Sequence, residues 1–213
     1  MSYWPWLTRY LFTYELGRPQ KRQNRLFKNI VSKIAHTQYG LLFNIHSNDT
    51  YAEFSKKAPI VSYEKLKHWI ERQKTHESNI LVDERVLHYV VFQDSKLLPY
   101  TKSLEKSFQK LAVIQKNPES NYLEAPLFVS LPPYPNLLPL LSEVFFEFSD
   151  KNKKISRLHE LEENREYDVI ISQKAGLYRY QTGLHVLACT SFKKTPSFQV
   201  LHDSYFDLRQ ALD

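Results

Sequence analysis

Between Gln20 and His36 the apolar residues Leu26, Phe27, Ile30, Val31 and Ile34 recur three and four positions apart, with Lys and Arg between them. That period predicts an amphipathic helix with one buried face. Upstream, Trp4 to Leu16 is dense in aromatic residues and leucine and is closed by Gly17 and Pro19. It predicts a helix packed on its own domain, although the same composition suits a helix lying on a membrane surface. After Pro59, Ser62 stands as an N-cap, and Tyr63, Leu66, Trp69 and Ile70 form the inward stripe of another amphipathic helix. Thr101 caps a further one, with Leu104, Phe108, Leu111 and Ala112 inward.

Strand signals differ in period. Val86 to Phe92 is a short β-branched and aromatic run that predicts a buried strand between helices. From Glu143 to Ser149, Val144, Phe146 and Phe148 alternate with Glu143, Phe145 and Glu147, and Tyr167, Val169 and Ile171 alternate in the next segment, as half-buried strands do. Tyr178 to Tyr180, Val186 to Thr190 and Phe198 to Leu201 continue the pattern. The expected class is therefore α/β or α+β, a helical N-terminal half packed on a strand-rich C-terminal half. Residues 1–213 are expected as one domain, with 1–125 mainly helical around one buried strand and 140–213 mainly β. The boundary falls near the proline-rich stretch from Pro126 to Pro139.

Composition narrows the chemistry. With 213 residues, 42% of them hydrophobic, the chain can fill a sizeable core. It has no run near the roughly 18 apolar residues of a membrane span and no signal-peptide order at its N-terminus, so a cytoplasmic protein is expected. The net charge of +6 draws on two clusters, Arg18 to Lys28 and Lys151 to Arg157. Either could attract phosphate or an acidic surface, but without interleaved aromatics they predict solvated faces and no nucleic-acid partner. Only Gly17, Gly40, Gly176 and Gly183 occur, so neither a Walker loop nor a dinucleotide fingerprint can be written. The eight histidines form no HExxH or His and Cys cluster, and no metal site is expected. The sole cysteine, Cys189, lies in an apolar strand where it predicts a small hydrophobe, and GxSxG is absent. Glu160, Glu162, Glu163 and Glu166 read as a solvated connector.

Several short segments, taken in order, resemble one family. "IAHTQYG" from Ile34 to Gly40 and "TYAEFSKKAPIVSYEKLKHWIER" from Thr50 to Arg72 are similar to the N-terminal helices of the auxin-responsive (Gretchen Hagen) acyl-acid amido synthetases. "SKLLPYTKSLEKSF" from Ser95 to Phe108 resembles that family's "KliPyT" segment. "FFEFSD" from Phe145 to Asp150 and "LHELEENREYDVIISQKAGLYRYQTG" from Leu158 to Gly183 resemble its "fFEF", "LhEleeGkeYelvvT" and "aGLYRYrlGD" series. The resemblance implies a shortened version of the large domain of adenylate-forming enzymes, which activate a carboxylic acid with ATP and magnesium and pass the acyl group to an amine. It places a nucleotide-binding remnant at Lys96, Thr101, Tyr178, Arg179 and Gly183.

The chain departs from that pattern where ATP would sit. The serine, threonine and glycine loop expected before "KliPyT" is missing, because Phe92 runs through Gln93 and Asp94 straight into Ser95 and Lys96. An acidic Asp94 there would repel phosphate. The long middle region that holds the acyl pocket in relatives is replaced by a proline-rich bridge between Gln115 and Ser142. Leu184 replaces the aspartate that accepts hydrogen bonds from the ribose, and an unpaired buried hydroxyl costs on the order of 1–3 kcal/mol. Asp203 stands in place of an arginine, and the chain ends at Asp213 before the family's small C-terminal domain, so that domain's lysine is expected to be missing. The leading expectation is a degenerate, catalytically silent relative with no catalytic residues and no cofactor. One alternative is residual or partner-completed ligase activity, requiring ATP and magnesium. The other is a module that binds a protein or a membrane surface; no particular partner is identified.

Overall fold

In the computed structural model, residues 4–74, 79–82 and 127–203 are described. The helices come first: α1 Trp4–Glu15, α2 Pro19–Ile34, α3 Gln38–Leu42, α4 Tyr51–Lys57 and α5 Tyr63–Lys74. Seven antiparallel strands follow: β1 Phe128–Ser130, β2 Leu137–Pro139, β3 Phe145–Ser149, β4 Ile155–Arg157, β5 Glu166–Ser172, β6 Tyr180–Phe192 and β7 Thr195–Asp203. They form one sheet in the order β1-β2-β7-β6-β5-β3-β4. Helices before a strand-rich sheet are the architecture that the two hydrophobic periods predicted.

Proline at the first position starts α2, and its stripe Leu26, Phe27, Ile30, Val31 and Ile34 is buried as its spacing required. A capping box starts α4: the Thr50 hydroxyl accepts from the Glu53 N–H, and the Glu53 carboxylate accepts from the Thr50 N–H. Thr37 starts α3 in the same way, accepting from the Gly40 N–H at 3.0 Å.

The sheet curls on itself. Although β1 and β3 are far apart in strand order, the Phe128 ring lies 5.6 Å from Phe146 and 5.2 Å from Phe198, and Phe148 stacks on Phe198 at 5.3 Å. Phe146, Phe148, Val169 and Ile171 share this concave face by register. Across the sheet, Phe145 and Glu147 meet the helices, with Phe27 5.1 Å and Tyr51 6.0 Å from the Phe145 ring. Between the faces of β3, the buried Gln23 of α2 accepts from the Phe146 N–H at 2.8 Å and donates to the carbonyls of Leu141 and Val144 at 3.0 and 2.8 Å. A side-chain amide thus satisfies backbone groups that no neighbouring strand reaches.

Some expectations change. β3 is covered on both faces rather than half-buried, because the helices occupy the side that alternation left to solvent. The proline-rich stretch contributes β1 and β2 to the sheet. The segments expected around Tyr180 and Val186 to Thr190 are one continuous strand, β6, while Tyr178 and Arg179 precede it. On α1 the outer residues Tyr10, Leu11 and Tyr14 are exposed rather than packed on the domain, and Tyr63 is exposed at the start of α5. The expected strand from Val86 to Phe92 and the helix capped by Thr101 lie outside the described residues.

Candidate functional site

The chain from Tyr178 to Leu184 is where the resemblance concentrates its surviving nucleotide residues, and the structure gives each a defined setting. Arg179 has φ 47°, a left-handed conformation that turns the chain into β6. Its N–H donates to Ser172 Oγ at 2.9 Å, and its carbonyl accepts from the Val61 N–H at 3.0 Å. The Gln181 N–H returns the bond to the Val61 carbonyl at 2.8 Å, so the segment before α5 pairs with the start of β6.

The Arg179 guanidinium points away from solvent. Its Nε lies 3.1 Å from both oxygens of Glu147, its Nη2 donates to Glu147 Oε1 at 2.9 Å, and its Nη1 donates to the carbonyls of Ser55 and Ala58 at 2.8 and 2.9 Å. These bonds engage Nε, both hydrogens of Nη1 and one of Nη2. Glu147 is fully buried and also accepts from the Tyr51 hydroxyl at 2.8 Å. Burial, followed by the Glu147 charge, pushes the Tyr51 hydroxyl pKa up and keeps it a donor. Arg157 stacks over the other side of Tyr51 at 5.1 Å. The result is a closed polar knot joining α4, β3 and the turn into β6.

Around this knot, the Tyr178 hydroxyl donates to the Leu81 carbonyl and its ring lies 5.4 Å from Tyr39. Tyr39 is buried, and among the described residues its hydroxyl has no hydrogen-bond partner. Burial raises its pKa to about 12, against the opposing pull of the Arg179 charge. Thr37 and Gly40, the threonine and glycine of the N-terminal signature, form the corner from α2 into α3. Thr37 Oγ1 donates to the Ile34 carbonyl at 2.7 Å, and a Cβ on Gly40 would stand 1.9 Å from that same oxygen. The signature is a close backbone contact.

Gly183 and Leu184 lie in a bulge of β6. The register with β5 shifts between Asp168 and Ile170, and Gly183 takes φ 74° there. Thr182 Oγ1 donates to the Val169 carbonyl at 2.9 Å and accepts from the Leu184 N–H at 3.1 Å. Leu184 is fully buried in the apolar core. Tyr178 and Arg179 therefore face the helices, Gly183 serves strand geometry, and Leu184 packs. Lys96, Thr101 and Asp94 lie outside the described residues.

Sequence reasoning missed Glu147, Tyr51 and Gln23 as structural partners. The only signal for Glu147 in "FFEF" is that it shares a strand face with Phe145, and an acid buried beside that ring would need a cation. Nothing in one sequence says that the cation is Arg179. On the outer face, both ring nitrogens of His185 meet carboxylates, Asp168 Oδ1 at 2.9 Å and Glu166 Oε2 at 3.1 Å. No three His, Cys, Asp or Glu side chains converge as metal ligands among the described residues. A cavity of about 220 Å³ lies at α3, lined by Ala35 and Gly40 of the N-terminal signature with Leu41, Asn44 and His46, and includes none of Tyr178, Arg179, Gly183 and Leu184.

Compared with protein families, residues 11–129 match the GH3 family N-terminal domain and residues 137–202 match the GH3 family central domain. Compared with curated protein sequences one at a time, the chain finds no match. Among solved structures it is similar to a chain described as "GH3.15 acyl acid amido synthetase", with TM-score 0.62 at 12% identity over 88% of this chain and 68% of that one. A shorter similarity is to "AtGH3.15 acyl acid amido synthetase in complex with 2,4-DB", with TM-score 0.30 and 22% identity over 30% of this chain and 11% of that one.

Proposed function

The chain belongs to the GH3 family, and from that premise we propose that it is a member without ATP-dependent acyl adenylation, retained as a folded binding or scaffolding protein. The observation that carries this reading is Leu184. Where the family pattern has a ribose-binding acid, this chain has a fully buried leucine inside the apolar core. The residues present do not fit ATP. Leu184 offers no acceptor to a ribose, and Arg179 is already engaged by Glu147 and two backbone carbonyls. The sequence from Phe92 to Lys96 lacks the hydroxyl and glycine loop that would converge on phosphate oxygens.

Support for a retained protein over a decayed remnant comes from the polar groups at the junction of helices and sheet. Gln23, Thr37, Glu147 and Arg179 are buried, and each has hydrogen-bond partners. Left without partners, these four buried groups would destabilise the junction.

ATP-dependent pyrophosphate exchange across a panel of carboxylic acids tests the proposal. The expected result is no exchange above a heat-inactivated control and no heat of binding at millimolar ATP. Turnover above the control would overturn it and would favour residual or partner-completed ligase activity.

A further inference from the structure

We infer that the corner between α1 and α2 docks on the surface of an anionic lipid bilayer. The outer face of α1 presents Tyr10, Leu11 and Tyr14 at 54%, 52% and 49% exposure, although these residues have the composition of a core. The helix is held by its other end: Leu16 is fully buried, its carbonyl accepts from Thr195 Oγ1 at 2.7 Å, and Lys193 Nζ donates to the Thr13 carbonyl at 2.7 Å. The aromatic patch is therefore fixed in place while facing solvent.

Charge next to the patch is predominantly positive. Arg18 lies over the Tyr14 ring at 5.0 Å, and Arg22 pairs with Glu15 at 3.1 Å, which neutralises the acid at the end of α1. From Arg18 the row continues through Lys21, Arg25 and Lys28, spaced three and four apart and exposed along one side of α2. No Asp or Glu occurs in α2. Tyrosine rings with a polar tip, one leucine and a flanking row of long basic side chains match the requirements of the headgroup region, where rings sit at the boundary and Lys and Arg reach anionic phosphates.

A bilayer suits this surface better than an acidic protein because the patch is the outer face of a helix, and the cavity near Gly40 does not include it. A protein partner needs a complementary shape, whereas a membrane does not. Among the described residues no helix is long and apolar enough to cross a membrane, so the contact would be peripheral.

The test is sedimentation of the whole chain with vesicles of phosphatidylcholine alone or with about one third phosphatidylserine. Binding is expected on the anionic vesicles at about 0.05 M salt and should fade toward 0.5 M as the charges are screened. Replacing Lys21→Gln, Arg25→Gln and Lys28→Gln together should lower the partition coefficient about 100-fold, from the usual contribution of a basic residue near an anionic surface. Tyr10→Ser with Leu11→Ser and Tyr14→Ser should weaken it independently. All six side chains are exposed or on the exposed face, so an unchanged far-UV spectrum and urea midpoint will show that the variants fold. Equal binding to neutral vesicles, no binding by the intact chain, or full binding by the charge-depleted variant would each overturn the inference. So would capture on immobilised polyglutamate that depends on the same residues while vesicles are ignored, since that outcome marks a protein-docking face.

Discussion

Glu147 carries a carboxylate into a position with no solvent exposure, and its neighbours in β3 are phenylalanines. Arg179 and Tyr51 compensate that charge directly. Removing one partner of such a pair strands the other, at a cost of about 3–5 kcal/mol, whereas replacing both by apolar groups costs far less. Arg179→Met is accordingly expected to lower urea-unfolding stability by about 3–5 kcal/mol, and Glu147→Leu added to it should recover a large part of the loss. If the double variant is as unstable as the single one, packing rather than charge dominates. His185 gives a pH signature. Burial alone would lower its pKa, but hydrogen bonds to Asp168 and Glu166 outweigh burial and raise it above 6.5. A raised folded pKa stabilises fully below the unfolded value and is lost as pH rises through the folded one. Stability should therefore fall as pH rises from the ordinary histidine value through the raised folded one, and His185→Gln should flatten that part of the profile measured by urea midpoints.

At the scale of elements, the corner between α2 and α3 makes a tighter backbone contact at Gly40 than the chain makes at Gly17 or Gly176. Any side chain at position 40 must push on the Ile34 carbonyl, which already accepts from Thr37. Gly40→Ala is expected to cost roughly 3 kcal/mol or more through strain. Thr50→Ala, which removes the cap of α4, should cost about 1 kcal/mol. Thermal unfolding of the two variants checks the order, and equal shifts in Tm would show that α3 yields to the added methyl. Capping residues and stripes at this scale are legible because each is a local pattern. The clash at Gly40 is not, since its partner oxygen belongs to another helix.

For the whole molecule, the helical segment and the sheet share buried polar bridges: Gln23 to β3, Arg179 to the carbonyls of α4, and Val61 to the start of β6. Neither side can open without exposing unpaired donors or acceptors. Helix loss by far-UV dichroism and core exposure by aromatic fluorescence are expected to follow one coincident urea transition. Two separated transitions would show that the halves unfold independently. The network also shows what the motif residues do in the fold: resemblance carries residue identity, but only packing shows that the Arg179 guanidinium points at Glu147.

The sequence by itself determined the amphipathic helices α2 and α5 and the alternation that became β3 and β5, because each rests on spacing along one chain, and its collinear segments carried the resemblance to the family. Tertiary structure decided that β3 is covered on both faces, that the proline-rich stretch supplies an edge strand and its neighbour, that Arg179 belongs to Glu147, and that the tyrosines of α1 remain outside. Those outcomes depend on which distant segments meet. Charge pairing and burial act through space, and a sequence period records only which face is apolar, not what will cover it.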